Sequence, residues 1–173
     1  DGASSVSHSF AWEYVVSQQS EWKMQRGSVD KKWTRVKFND KKWESGHDGT
    51  WGSFSKDISS VFLRRSFSVD ASKFTFLHLS IKRSDDCEVV AYLNEKEVAH
   101  LSGKAATPFM RLTFPVSTLL SNSVVAMEVR RAVTAQESAP IVFDVVVSAA
   151  SSGPIVQSVN GLASDNQQGT QTQ

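Results

Sequence analysis

Alternation of apolar and polar residues with a period of two dominates the chain from Val61 to Val147. Val61, Leu63, Phe67 and Val69 share one face of a first run, and Thr75, Leu77, Leu79 and Ile81 one face of a second. Val89, Ala91 and Leu93 follow, then Met110, Leu112, Phe114 and Val116. Val125, Met127 and Val129, then Ile141, Phe143, Val145 and Val147, complete the series. Successive side chains of an extended strand point to opposite sides, so each run predicts a strand with one apolar face. Six such strands separated by turn-rich stretches predict an all-β fold, two antiparallel sheets packed face to face. Only Val116 to Ser123 has the character of a helical turn, with Ser117 as its cap.

The same alternation assigns roles to charged residues. Arg65 falls in step with Leu63 and Phe67, which predicts an inward guanidinium in need of a buried acid. Asp85 and Asp86 are adjacent, so on a strand they point to opposite faces and make a poor acid–base pair. They read instead as structural: one caps the turn into the following strand and the other pairs with Arg65. Asn94 to Glu97 closes the hairpin between the strand of Val89, Ala91 and Leu93 and the next strand. Glu adopts positive φ only at a cost, which predicts a loop longer than two residues. Phe74, Phe76 and His78 form an outward stripe, either covered by the N-terminal third or open to a partner; covering is the preferred reading.

Composition narrows the class. The 173 residues carry 19 Lys+Arg against 18 Asp+Glu, a net charge of +1 that supplies no general field for nucleic acid or anionic membrane. No apolar run approaches the length of a membrane span. Cys87 is the single cysteine, which excludes an internal disulfide and multi-thiolate zinc sites. Residues 1–9 and 150–173 are small and polar, and predict a loose start and a flexible tail or linker around a sandwich over residues 10–149. A chain that begins without Met reads as a processed form or a piece of something longer. All five tryptophans, Trp12, Trp22, Trp33, Trp43 and Trp51, lie in the first 51 residues, which reads as an irregular basic and aromatic wrapping of the sandwich.

The order of several short motifs resembles a known superfamily. "FNDKKW" (38–43), glycines 46, 49 and 52, "VFLRRSFSV" (61–69), "LHLSI", "DDCEVVAYLNEKEV" (85–98), "LLSNSVVAMEV" (119–129) and "IVFDVVV" (141–147) follow one another as in the galactose-binding-domain-like jelly rolls. The resemblance covers about residues 10–149. It implies eight or nine strands in two sheets, with binding on loops at one end. It also implies attachment to a glycosidase, phosphoesterase or cell-surface protein. The chain departs from the pattern at Cys87, Glu95 and Ser121, where the family carries glycine. A calcium ion often supports such folds, and Asp40 and Asp144 match acidic motif positions. The sequence shows no dense acidic loop, so no metal and no cofactor is assigned.

Candidate chemistry concentrates in "WESGHDGTWGSFSKD" (43–57). Sugars are held by an aromatic ring against the apolar pyranose face, with polar side chains reading the hydroxyls. Trp51, His47 and Asp48 supply both kinds of group, with Trp43, His100 and Arg131 as candidate neighbours. Against this, the tryptophan at the Trp43 position of the family belongs to the core. The four histidines show no ligand spacing for zinc. No serine elbow or phosphate-binding loop is present. The stretch Glu21 to Trp43 mixes acids with its basic and aromatic residues and reads as a solvated face rather than a nucleic-acid surface.

The sequence therefore predicts a non-catalytic recognition module, extracellular or at the cell surface, that binds carbohydrate or a glycoprotein without nucleic acid or membrane insertion. A protein-interaction module using the outer sheet face or an edge is the alternative, and an accessory domain of a larger hydrolase a further one.

Overall fold

A computed structural model describes residues 12–17, 20–47, 49–105 and 109–151. The expected loose start and most of the expected tail lie outside the described residues. Among the described residues ten strands run in chain order: β1 (Trp12–Val16), β2 (Trp22–Arg26), β3 (Glu44–Gly46), β4 (Ser60–Phe67), β5 (Phe76–Arg83), β6 (Cys87–Leu93), β7 (Lys96–Leu101), β8 (Met110–Pro115), β9 (Ser123–Arg131) and β10 (Phe143–Ala150). They form a four-stranded sheet in the order β1-β10-β5-β8 and a six-stranded sheet in the order β3-β2-β4-β9-β6-β7. Every pairing is antiparallel. The fold is the all-β sandwich that the alternation predicts, and the six runs read from the sequence correspond to β4, β5, β6, β8, β9 and β10. Val116–Thr118 forms one 3-10 turn, capped by Pro115 without a side-chain bond; Ser117 lies inside it rather than at its cap.

The inner faces meet in one core. Leu63, Leu77, Leu79, Val89, Met127, Val129 and Val147 are at most 1 % exposed. Each contributes about 1.5–3 kcal/mol relative to an exposed side chain. A second, smaller cluster lies on the outer face of the six-stranded sheet. There the segment after β2 runs through successive tight turns and lays Trp33 on Phe62 and Tyr92, at ring distances of 5.1 and 5.6 Å. The wrapping read from the N-terminal third thus covers the six-stranded sheet. It does not cover the Phe74–His78 stripe, because β1 joins that sheet as an edge strand instead of lying over it. Phe74 turns inward against Val116 and Ala149, whereas Phe76 stays 37 % exposed.

Two expectations about turns and charges are corrected. The buried arginine is Arg64, at 2 % exposure, and it points outward from β4 into the covering segment. Arg65 is only half-buried at the sheet margin, and its Nη1 donates to the Glu21 carbonyl instead of to Asp85 or Asp86. The hairpin between β6 and β7 has a two-residue loop, with φ of +50° at Asn94 and +75° at Glu95. Positive φ at both central residues is what a twisted two-residue hairpin requires. Asn94 secures it: its Oδ1 accepts from the Val124 amide at 2.8 Å and its Nδ2 donates to Ser123 Oγ at 3.1 Å.

Candidate functional site

The candidate loop is assembled by two local devices. His47 and Thr50 close a turn, with the Thr50 amide and hydroxyl both donating to the His47 carbonyl and Gly49 at φ +86°. The chain then forms a short ladder with the segment before β10. The Ile141 amide donates to the Gly52 carbonyl, Ser53 bridges Pro140, and the Phe54 amide donates to the Ala139 carbonyl. This ladder closes the end of the sandwich and pulls Trp51 inside.

Trp51 is 3 % exposed, stacks on Phe143 at 4.7 Å and donates its Nε1 hydrogen to the Phe143 carbonyl at 3.1 Å. The expectation of a sugar-stacking Trp51 is therefore corrected: its ring faces are spent in the core. Gly46 makes room for it, since a Cβ there would stand 3.2 Å from both Trp51 Cζ3 and Met24 Cε.

The remaining candidates do not converge. Trp43 belongs to the outer cluster on the six-stranded sheet, packed edge-on against Phe38. His47 is exposed in its turn, and Asp48 lies outside the described residues. His100 projects from β7 on the outer face of the same sheet and contacts Glu88 through Nε2. From Glu88 a chain of charges continues to Arg130 at 3.7 Å and to Glu128 at 3.0 Å. Arg131 reaches the rim at the end of β9, where its Nη1 donates to the Glu137 carbonyl at 3.2 Å. Asp85 accepts from the Ala105 amide at 2.6 Å and so holds the loop after β7. Asp86 contributes its backbone carbonyl to the Ala132 amide. Asp40 and Asp144, the acidic motif positions, stand on the outer sides of different sheets. Among the described residues no three His, Cys, Asp or Glu side chains gather as metal ligands would.

What the loop does build is a cleft of about 550 Å³ at the rim. Its lining includes the apolar residues Trp51, Ile141 and Phe143 and the polar residues Ser53, Lys82 and Asp144. Arg83 also lines the cleft, but its guanidinium is engaged, with Nη1 on the Cys87 and Gly103 carbonyls and Nη2 on the Ser102 carbonyl. Cys87, wholly buried beside this staple, has its thiol pushed up by desolvation. A larger hollow of about 720 Å³ lies between residues 36–41 and 120–122, but its carboxylate, Asp40, is held by Arg64.

Sequence reasoning missed Arg64, Arg83 and the exposed pair Trp12 and Tyr14. Arg64 was marked only by the one-residue offset from Leu63, and Trp12 and Tyr14 by their own two-residue spacing.

No protein-family model and no curated protein sequence matches the chain. Solved structures do resemble it in fold. A calcium-binding mutant of Bacteroides uniformis β-glucuronidase 2 superposes with a TM-score of 0.58 at 20% identity, over 82% of this chain and 18% of that one. A β-glucuronidase from glycoside hydrolase family 2 gives 0.56 at 14% identity, over 85% and 18%. Bifidobacterium dentium β-glucuronidase, complexed with coumarin-3-O-glucuronide, gives 0.54 at 11% identity, over 84% and 30%. The chain thus spans less than a third of the length of each of these enzymes.

Proposed function

We propose that the chain is a non-catalytic accessory domain of a larger carbohydrate-processing hydrolase, extracellular or at the cell surface, and that it holds sugar in the rim cleft. The observation that carries this reading is the cleft itself, whose lining combines the edges of the nearly buried Trp51, Ile141 and Phe143 with the polar residues Ser53, Lys82 and Asp144. Such a pairing of an apolar wall with a few hydrogen-bonding groups suits the two-sided character of a pyranose, and its volume lies in the range of small-ligand sites. The fold likeness to single domains of glycoside hydrolases supports the same reading. Sugar recognition here uses the edge of the Trp51–Phe143 stack rather than an exposed ring.

Titration of the labelled chain with methyl glucuronide, galactose and glucose, followed by amide chemical shifts, tests the proposal. Shifts at Gly49, Gly52 and Ser53 with at least one sugar are expected, and Ser53→Trp, which fills the cleft, removes them. Silence at these amides across the panel overturns the reading.

A further inference from the structure

The outward side of the four-stranded sheet carries a pattern unlike the rest of the surface. Register fixes it row by row. Trp12, Ala150, Phe76 and Pro115 lie side by side across β1, β10, β5 and β8, and Tyr14, Ser148, His78 and Thr113 form the next row. Ser80 then faces Arg111, and Lys82 faces Asp144. Three large rings stay open to solvent: Trp12 at 49 %, Tyr14 at 57 % and Phe76 at 37 %. Trp12 and Tyr14 brace each other edge to face at 4.7 Å, which fixes them as a unit. Between the two aromatic walls, two strand spacings or about 10 Å apart, the small residues Ala150 and Ser148 are themselves buried, so the accessible part of this end is the rings.

Charge along this face is graded. The aromatic end is neutral, because Glu13 beside it is paired with Lys73 at 3.2 Å. At the other end Arg111 and Lys82 carry no ion pair among the described residues, and Asp144 is the one carboxylate in register with them. His78, bonded to the Thr113 hydroxyl at 2.9 Å, sits between the two ends. Lys82 and Asp144 also line the rim cleft, so the face and the cleft are continuous.

We propose that this face, from Trp12 and Tyr14 across Phe76 and His78 to Arg111 and Lys82, binds an acidic oligosaccharide, with pyranose rings stacked at the aromatic end and a uronate carboxylate at the basic end. Aromatic rings in water attract the apolar side of a sugar, and two unpaired cations on one face favour an anion over a neutral ring. Exposed apolar residues grouped on one face, unlike ones scattered singly, are characteristic of interaction sites. The inference shares the ligand class of the cleft reading but concerns the adjoining sheet face, and the two are separable by variants at residues that only one of them uses.

The test uses the full 173-residue chain with a galacturonate hexasaccharide and a neutral glucose hexasaccharide, by calorimetry and amide shifts at low and near-physiological salt. The acidic sugar is expected to bind more tightly, with shifts at His78, Thr113 and Arg111, and to weaken as salt rises. Arg111→Ala should weaken the acidic sugar about fivefold and leave the neutral one unchanged. Tyr14→Ala or Phe76→Ala should weaken both by roughly threefold to tenfold. Absence of binding overturns the proposal, and so does binding insensitive to all three variants. If Ser53→Trp abolishes binding while the face variants do not, the face proposal falls and the cleft reading stands. The reverse pattern keeps the face and removes the cleft. Self-association that Tyr14→Ala abolishes, without any glycan shift, identifies a protein surface and also overturns it.

Discussion

The Arg64 guanidinium meets the Asp40 carboxylate at 2.9 Å, Nε to Oδ2, between β4 and the segment that covers it. The same guanidinium donates to the carbonyls of Trp33, Arg35 and Phe38 and lies 5.2 Å above the Phe38 ring. One side chain therefore satisfies the backbone of a stretch that has no strand partner of its own. Carbonyls buried without donors are expensive, so the covering segment depends on this fork.

Removing the fork should release the cover while the sandwich persists. Arg64→Met is expected to cost about 3–5 kcal/mol, the range for breaking a buried pair. Arg64→Lys should recover only part of it, because an ammonium cannot reach four acceptors in a fixed fork. Asp40→Asn tests the charged half alone. Urea unfolding gives the energies, and fluorescence of Trp33 reports release of the cover. Full stability in Arg64→Met would refute this role.

This pair also shows what was readable in the sequence. The period of two gave β4 its register, and the resemblance placed an acid in "FNDKKW" and an arginine in "VFLRRSF". Alternation alone then favoured Arg65, because it shares parity with Leu63 and Phe67. Parity cannot tell a buried outer face from a buried inner one when a turn-rich segment covers the outside. The same limit applies to Trp51. A glycine-rich loop with a tryptophan looks like a ligand loop, but the ladder with Ala139–Ile141 that buries it joins residues far apart in sequence. Trp12 and Tyr14 are exposed for the opposite reason: β1 forms an edge strand, and nothing in its own five residues says which sheet it joins.

If Trp51 is core, its truncation damages stability before any binding. Trp51→Ala should cost about 3–5 kcal/mol, as large aromatic deletions in cores do. Trp51→Phe keeps most of the contact with Phe143 but leaves that carbonyl without its donor, for about 1–3 kcal/mol. Denaturant midpoints at constant slope measure both. A Trp51→Ala variant as stable as the parent would place the ring outside the core.

The β6–β7 hairpin offers a stabilising change. Glu95 at φ +75° adopts a conformation that costs an L-residue about 1–2 kcal/mol, whereas glycine adopts it freely. Glycine also loses more entropy on folding, so Glu95→Gly should gain about 0.5–1 kcal/mol net. For a domain of this size that raises Tm by about 1–4 °C. Asn94→Ala, by contrast, should destabilise, because it removes both bonds to β9. A fall in Tm for Glu95→Gly would mean that the two-residue turn is not formed in solution.

His78 provides a titration that reads the open face directly. Burial holds its imidazole below the ordinary histidine value of 6.5, and the nearby Arg111 charge pushes the same way. The folded chain thus binds fewer protons than the unfolded one as pH drops past that value. Its contribution to stability is whole above the ordinary value and is lost as pH falls through the lowered folded one. A proton-NMR titration of the ring should therefore show a midpoint below 6.5. Arg111→Ala should raise the midpoint only part of the way, since burial is the larger cause. A carboxylated sugar seated at Arg111 would cancel that guanidinium's field and raise the midpoint in the unmutated chain, whereas a neutral sugar would not. A midpoint at or above the ordinary value in the free chain would show that the imidazole is neither shielded by the sheet nor near Arg111.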